Sequence, residues 1–131
     1  MKPSDLFTDF KARPFPWNFW YFFKDLPNNI KWFFQRGWRG YADCDVWNFD
    51  CYFLSIAIPA LKMFKSEMSG HPHVLTYEEW KNIIQEIIDG FEAGEKARDE
   101  IIADENDLKK LNKKFKKATN LFAKWFWHFW D

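Results

Sequence analysis

Apolar residues in this chain recur at three- and four-residue spacing over long stretches, and no period-two strand pattern is sustained. Side chains share a face every 3.6 residues on a helix and every second residue on a strand, so the spacing commits the chain to helices. Trp47, Cys51, Leu54, Ile58 and Leu61 predict one core face, on a long helix from Asp43 to about Met68. Asp43 would cap that helix and Pro59 would kink it. Trp80, Ile83, Ile84, Ile87 and Phe91 predict a second face. Its start is marked by a Thr76–Glu79 capping box and a Leu75–Trp80 staple, and Gly90 and Gly94 weaken its end. Leu108, Leu111, Phe115, Phe122, Trp125, Phe126 and Phe129 form a third stripe, from about Asp107 to Trp130. Pro27 suits the first turn of another helix, whose stripe is Ile30, Phe33 and Phe34 and whose end is Gly37 or Gly40. Trp17–Lys24 predicts a short helix with aromatics almost all round. The expected fold is all-α: an irregular bundle of four main helices plus a short N-terminal aromatic helix. One helical domain, 17–131, would follow an arm, 1–16, in which Pro3, Pro14 and Pro16 discourage helix. The charged segment Glu95–Asp107 reads as helix or mobile link.

The 131 residues, 47% hydrophobic, are enough to bury a core without staples. The formal net charge is zero, so no bulk field draws the chain to nucleic acid, which is not expected as a partner. The six lysines of Leu108–Lys117 read as a solvated helix face, because acidic Asp99–Asp107 directly precedes them. On one helix Cys44 and Cys51 would stand roughly 10 Å apart, beyond the ~7 Å reach of a disulfide. They read as small buried apolar groups in a reducing compartment. The N-terminus lacks a signal-peptide run. The longest apolar-rich run, Tyr52–Leu61, is too short to span a bilayer, so a cytosolic protein without a membrane partner is expected.

Sixteen of the 29 aromatic residues fall between Phe15 and Phe53, which turns attention to Arg36–Asp50, RGWRGYADCDVWNFD. Asp50 borders the apolar stripe of the long helix and wants a cation, with Arg36 or Arg39 the obvious partner. One reading is structural: Asp43 caps a helix and Asp50 locks the interhelix turn to an arginine. The other is a ligand pocket made by Arg36, Arg39, Tyr41, Asp45, Trp47, Asn48 and Asp50. There arginines would hold an anion, aromatics would stack on a ring, and Asn48 or a carboxylate would bind ribose or base edges. The loop His71-Pro72-His73, near Glu78 and Glu79, carries metal-ligating residue types in no standard motif, so no metal is expected. In the closing FAKWFWHFWD, Trp127 and His128 fall off the core stripe and Trp130 lies on its margin. Trp127 and Trp130 would either extend the core or form a contact patch for another protein or a second copy of the chain. No phosphate-binding loop, nucleophile elbow or His-Glu-x-x-His motif occurs. Hence no cofactor is expected and the balance leans away from an enzyme. The remaining catalytic option places Mg²⁺ on Asp43, Asp45 or Asp50.

The stretches IKWFFQRGWRGYADCDVWNFDCYF, IPALKMFKSEMSGHP and LTYEEWKNIIQEIIDGFE, with the aromatic tail ending FWD, resemble an uncharacterised family of small proteins encoded by tailed bacteriophages and prophages. The resemblance implies phage origin and expression in the cytoplasm of a bacterial host, and carries no residue roles with it. Together these observations favour a non-catalytic binding protein that engages a host protein, in a way that would block or divert a defence pathway. A binder of nucleotides or other anionic small molecules is the alternative, and a phage structural or assembly protein a further one.

Overall fold

The computed structural model describes residues 17–99 and 104–130. The expected arm, 1–16, lies outside the described residues, as do the side chains of the aromatic run 17–23 and the middle of the charged link. Among the described residues there are five α-helices, four of them long, one short 3₁₀ turn and no strand, as the all-α expectation requires. The helices are α1 (Trp17–Arg39), α2 (Asp43–Trp47), α3 (Phe49–Glu67), α4 (Tyr77–Asp99) and α5 (Glu105–Trp125), with the 3₁₀ turn at Phe126–His128. The chain falls into two compact units, Met1–Ser55 and Ile56–Asp131, with the boundary inside α3.

In the first unit the short aromatic helix and the Pro27 helix are one element. α1 runs through Pro27, which is exposed. Proline removes one helical hydrogen bond and crowds the preceding turn. It does not reset the register of the residues after it, so the two segments join rather than divide. Gly40 ends α1: its N–H donates to Arg36 O at 3.0 Å, and its φ of +83° is one that only glycine adopts freely. The predicted Asp43–Met68 helix is also corrected. It is broken at Asn48, whose φ of −125° and ψ of 59° close α2 before α3 starts at Phe49. The break puts Trp47 out of phase with the α3 stripe. Leu54, Ile58 and Leu61 are buried as expected, but Trp47 is 78% exposed.

In the second unit α4 begins as its local chemistry predicts. Glu79 accepts from the Thr76 N–H at 2.7 Å, and Thr76 Oγ1 accepts from the Glu79 N–H at 3.3 Å. The Thr76 N–H and the Thr76 hydroxyl, which both donate to Oε2, hold the Glu79 carboxyl below its ordinary pKa. The face that α4 buries is Trp80, Ile84, Ile87, Ile88 and Phe91. Each such side chain contributes about 1.5–3 kcal/mol on leaving water. α5 answers with Ala118 and Trp125. Asp104, whose side chain accepts from the Asn106 N–H at 3.0 Å, caps α5. Phe129, just past the 3₁₀ turn, folds back among rings: its centroid is 5.3 Å from Trp80, 5.4 Å from Phe122 and 5.7 Å from Phe64. Of the other stripe residues, Phe126 is exposed.

Gly90 and Gly94 do not end α4, which continues to Asp99. They let α5 approach. A Cβ on Gly90 would lie 2.2 Å from Ala118 Cβ and 2.8 Å from Lys114 O, and one on Gly94 would lie 2.4 Å from the Phe115 ring. A missing side chain lowers helix propensity but gives room for a second backbone. Gly90→Ala is therefore expected to destabilise the protein by about 1–3 kcal/mol, although alanine is the better helix former. Urea unfolding measures this.

Candidate functional site

The Arg36–Asp50 segment spans the turn from α1 into α2 and the start of α3. Its lock exists, with a different carboxylate from the one expected. Arg36 Nε–H donates to Asp45 Oδ2 at 2.9 Å, and its Nη2–H donates to Oδ1 at 2.5 Å. Asp45 is buried, 5% exposed, and Oδ2 also accepts the Ala42 N–H at 2.7 Å. Burial pushes the Asp45 carboxyl up. The Arg36 hydrogen bond, the Ala42 N–H and the guanidinium charge outweigh burial and hold it below its ordinary value. The same hydrogen bond raises Arg36. A bidentate guanidinium–carboxylate pair with one half buried fixes geometry, because its two parallel bonds tolerate little rotation.

Asp43 is not the cap. Ala42 is the N-cap residue and Asp43 opens the first turn of α2. Its carboxylate gathers three partners from α1: Gln35 Nε2–H donates at 2.8 Å, Lys31 Nζ lies at 3.1 Å, and Arg39 pairs with the other oxygen. Gln35 also accepts the Asp43 N–H at 3.0 Å, so its amide clasps the residue from both sides. These bonds, Gln35 first, then Arg39 and Lys31, hold the Asp43 carboxyl far below its ordinary value. Arg39 additionally donates from Nε to Tyr41 O at 3.0 Å and lies 4.6 Å from the Tyr41 ring centre. Tyr52 donates its hydroxyl to Gly40 O and ties α3 to the same turn.

The predicted ligand residues thus part into groups. Arg36, Asp45 and Asn48 line a cavity of about 220 Å³ together with Trp32, Cys44, Cys51 and Tyr52. Arg39 and Tyr41 belong to the Asp43 cluster instead. Trp47 is exposed, and Asp50 stands exposed in the first turn of α3, accepting from Cys51 Sγ at 3.6 Å. Because the helix breaks at Asn48, the two cysteines lie on separate helices and are half-buried around one cavity, not buried along one stripe. Burial pushes the Cys44 thiol up. The arginines meant for an anion, Arg36 and Arg39, already face carboxylates. An incoming anion would have to displace them. Gln35, Trp32 and Tyr52 are site residues that the sequence left unmarked, since neither clasp nor cavity has a local spacing signature.

The lock sits at the end of a helix stripe that is exposed among the described residues. Ile30, Phe33, Phe34 and Trp38 recur on α1 at core spacing, yet all four are exposed, Trp38 by 93%. Val46, Trp47, Phe49 and Phe53 are exposed nearby in the sequence. Trp127 and Trp130 are exposed in the other unit. No family model, curated protein or solved structure matches the chain. No described helix is long and apolar enough to cross a membrane, and no three described His, Cys, Asp or Glu residues are grouped to hold a metal ion.

Asp45→Ala is expected to cost about 2–3 kcal/mol in urea unfolding, the loss of a largely buried pair discounted for an Arg36 that is a third exposed. The folded Asp45 pKa lies below its unfolded value of about 3.9. Its stabilisation is therefore whole above that value and is lost as pH falls through the folded pKa. Urea midpoints taken below about pH 4 should fall more steeply for the wild type than for Asp45→Asn.

Proposed function

We propose that the chain is a phage-encoded, non-catalytic binding protein that acts in the bacterial host cytoplasm by docking the exposed aromatic stripe of α1 on a host protein. The observation that carries this reading is the α1 stripe itself, Ile30, Phe33, Phe34 and Trp38, exposed at core spacing. Large apolar side chains gathered on one helix face mark interaction surfaces, and tryptophan and its flanking aromatics are the side chains that dominate binding energy. An amphipathic helix lays such a stripe into an apolar groove, with anchors at i, i+3, i+4 and about i+8. The Arg36–Asp45 pair and the Gln35 clasp support the reading because they hold the end of α1 on α2, so little ordering entropy is left for binding. The phage resemblance supplies the host setting, and diversion of a defence component is the role that setting suggests. The nucleotide alternative is less well supported, because the arginines it needs are occupied by Asp43 and Asp45.

Photo-crosslinking inside the host cell tests this. With benzoylphenylalanine in place of Trp38, one host protein should dominate the adducts, and Phe34→Ala in the same chain should deplete it about tenfold or more. Adducts matching those from a crosslinker at Lys116, or adducts only to a second copy of the chain, would overturn the reading.

A further inference from the structure

Two features that are far apart in sequence meet in the second unit. The loop after α3 and the C-terminal turn line one cavity of about 440 Å³, bounded by His71, Pro72, His73, Trp127, His128 and Trp130. That volume lies within the range of small-molecule sites. The lining has a definite chemistry. Among the described residues it is lined by no Asp, Glu, Lys or Arg. Three imidazoles suit a metal by type, but they are not grouped to share one. The cavity offers instead flat faces and hydrogen-bonding nitrogens. Trp127 and Trp130 are 81% and 74% exposed, so their indoles are open to stacking, and buried Pro72 adds a third apolar wall.

Two of the three imidazoles make ring contacts of their own. His71 packs edge-on to Tyr77 at 6.4 Å, and His128 packs edge-on to Trp125 at 5.3 Å. His71 Nδ1 lies 3.1 Å from Pro72 O. A carbonyl only accepts, so Nδ1 carries the proton, and in the neutral form of an imidazole so protonated Nε2 accepts. His73 and His128 supply nitrogens that donate or accept according to tautomer.

We propose that this cavity binds an uncharged planar nitrogen heterocycle of nucleobase or nucleoside size, stacked on Trp127 and Trp130 and hydrogen-bonded along its edge by the imidazoles. Stacking suits any such ring, because every one has a π-face. An N–H on the ring edge matches an accepting Nε2 on His71. The site is independent of the α1 surface and stands or falls separately from it.

The test is titration of the full chain with adenosine, guanosine, cytidine and uridine, followed by calorimetry and by the indole N–H resonances. At least one nucleoside should bind and shift the Trp127 and Trp130 indole signals of the wild type. Trp127→Ala with Trp130→Ala, both at exposed positions, should weaken binding about tenfold or more. His71→Ala should weaken it less. No binding by any of the four up to its solubility limit would overturn the proposal. So would binding that leaves both indole signals in place, or Zn²⁺ binding that the nucleosides do not compete with. The wild-type resonances decide the matter even if the double variant fails to fold.

Discussion

A carboxylate that leaves water must be held by something, and in the first unit Asp45 is held by Arg36 and by the Ala42 N–H. That one requirement organises the turn. Arg36 sits in the last turn of α1, Ala42 is the N-cap of α2 and Asp45 is its third residue, so three bonds fix where α1 stops and how α2 begins. The Gln35–Asp43 clasp and the Tyr52–Gly40 bond add to the same point from either side. Gly40, with its positive φ, is the residue that lets the backbone make the reversal.

In the second unit the organising constraint is room rather than charge. Gly90 and Gly94 clear space on α4, and Ala118 and Phe115 of α5 fill it. The aromatic tail then closes back on Trp80 through Phe129. The surface ion pairs Lys62–Glu92 and Lys117–Glu86 decorate this packing at exposed positions, where such pairs contribute little.

What could be read from the sequence was whatever depends on near neighbours. The Thr76–Glu79 box is local and stands in the structure, and Trp80, Ile84, Ile87 and Phe91 of the expected stripe are buried, while Ile83 is half-buried. What could not be read depends on a single dihedral or on distant contacts. Asn48 turns one residue out of helix, and that alone resets the phase of everything before it. Trp47 leaves the core stripe, the cysteines part, and the partner of Arg36 becomes Asp45 and not the Asp50 that a continuous helix favours. Glycines 90 and 94 read locally as helix weakeners, and only the presence of α5 shows their use. The cavity between His71-Pro72-His73 and the Trp127–Trp130 tail needs contacts across more than fifty residues of chain, which no spacing rule supplies.

The proposed docking rests on a rigid turn at the end of an exposed aromatic helix face. Amide hydrogen exchange at Ala42 tests the rigidity most directly, because that N–H points at the buried Asp45 carboxylate. Ala42 should exchange slowly in the wild type. In Arg36→Met its protection should fall by more than about tenfold together with that of Asp45, while Ile84 to Phe91 keep theirs. Exchange of Ala42 at the rate of an open loop in the wild type, or protection unchanged by the substitution, would contradict the account.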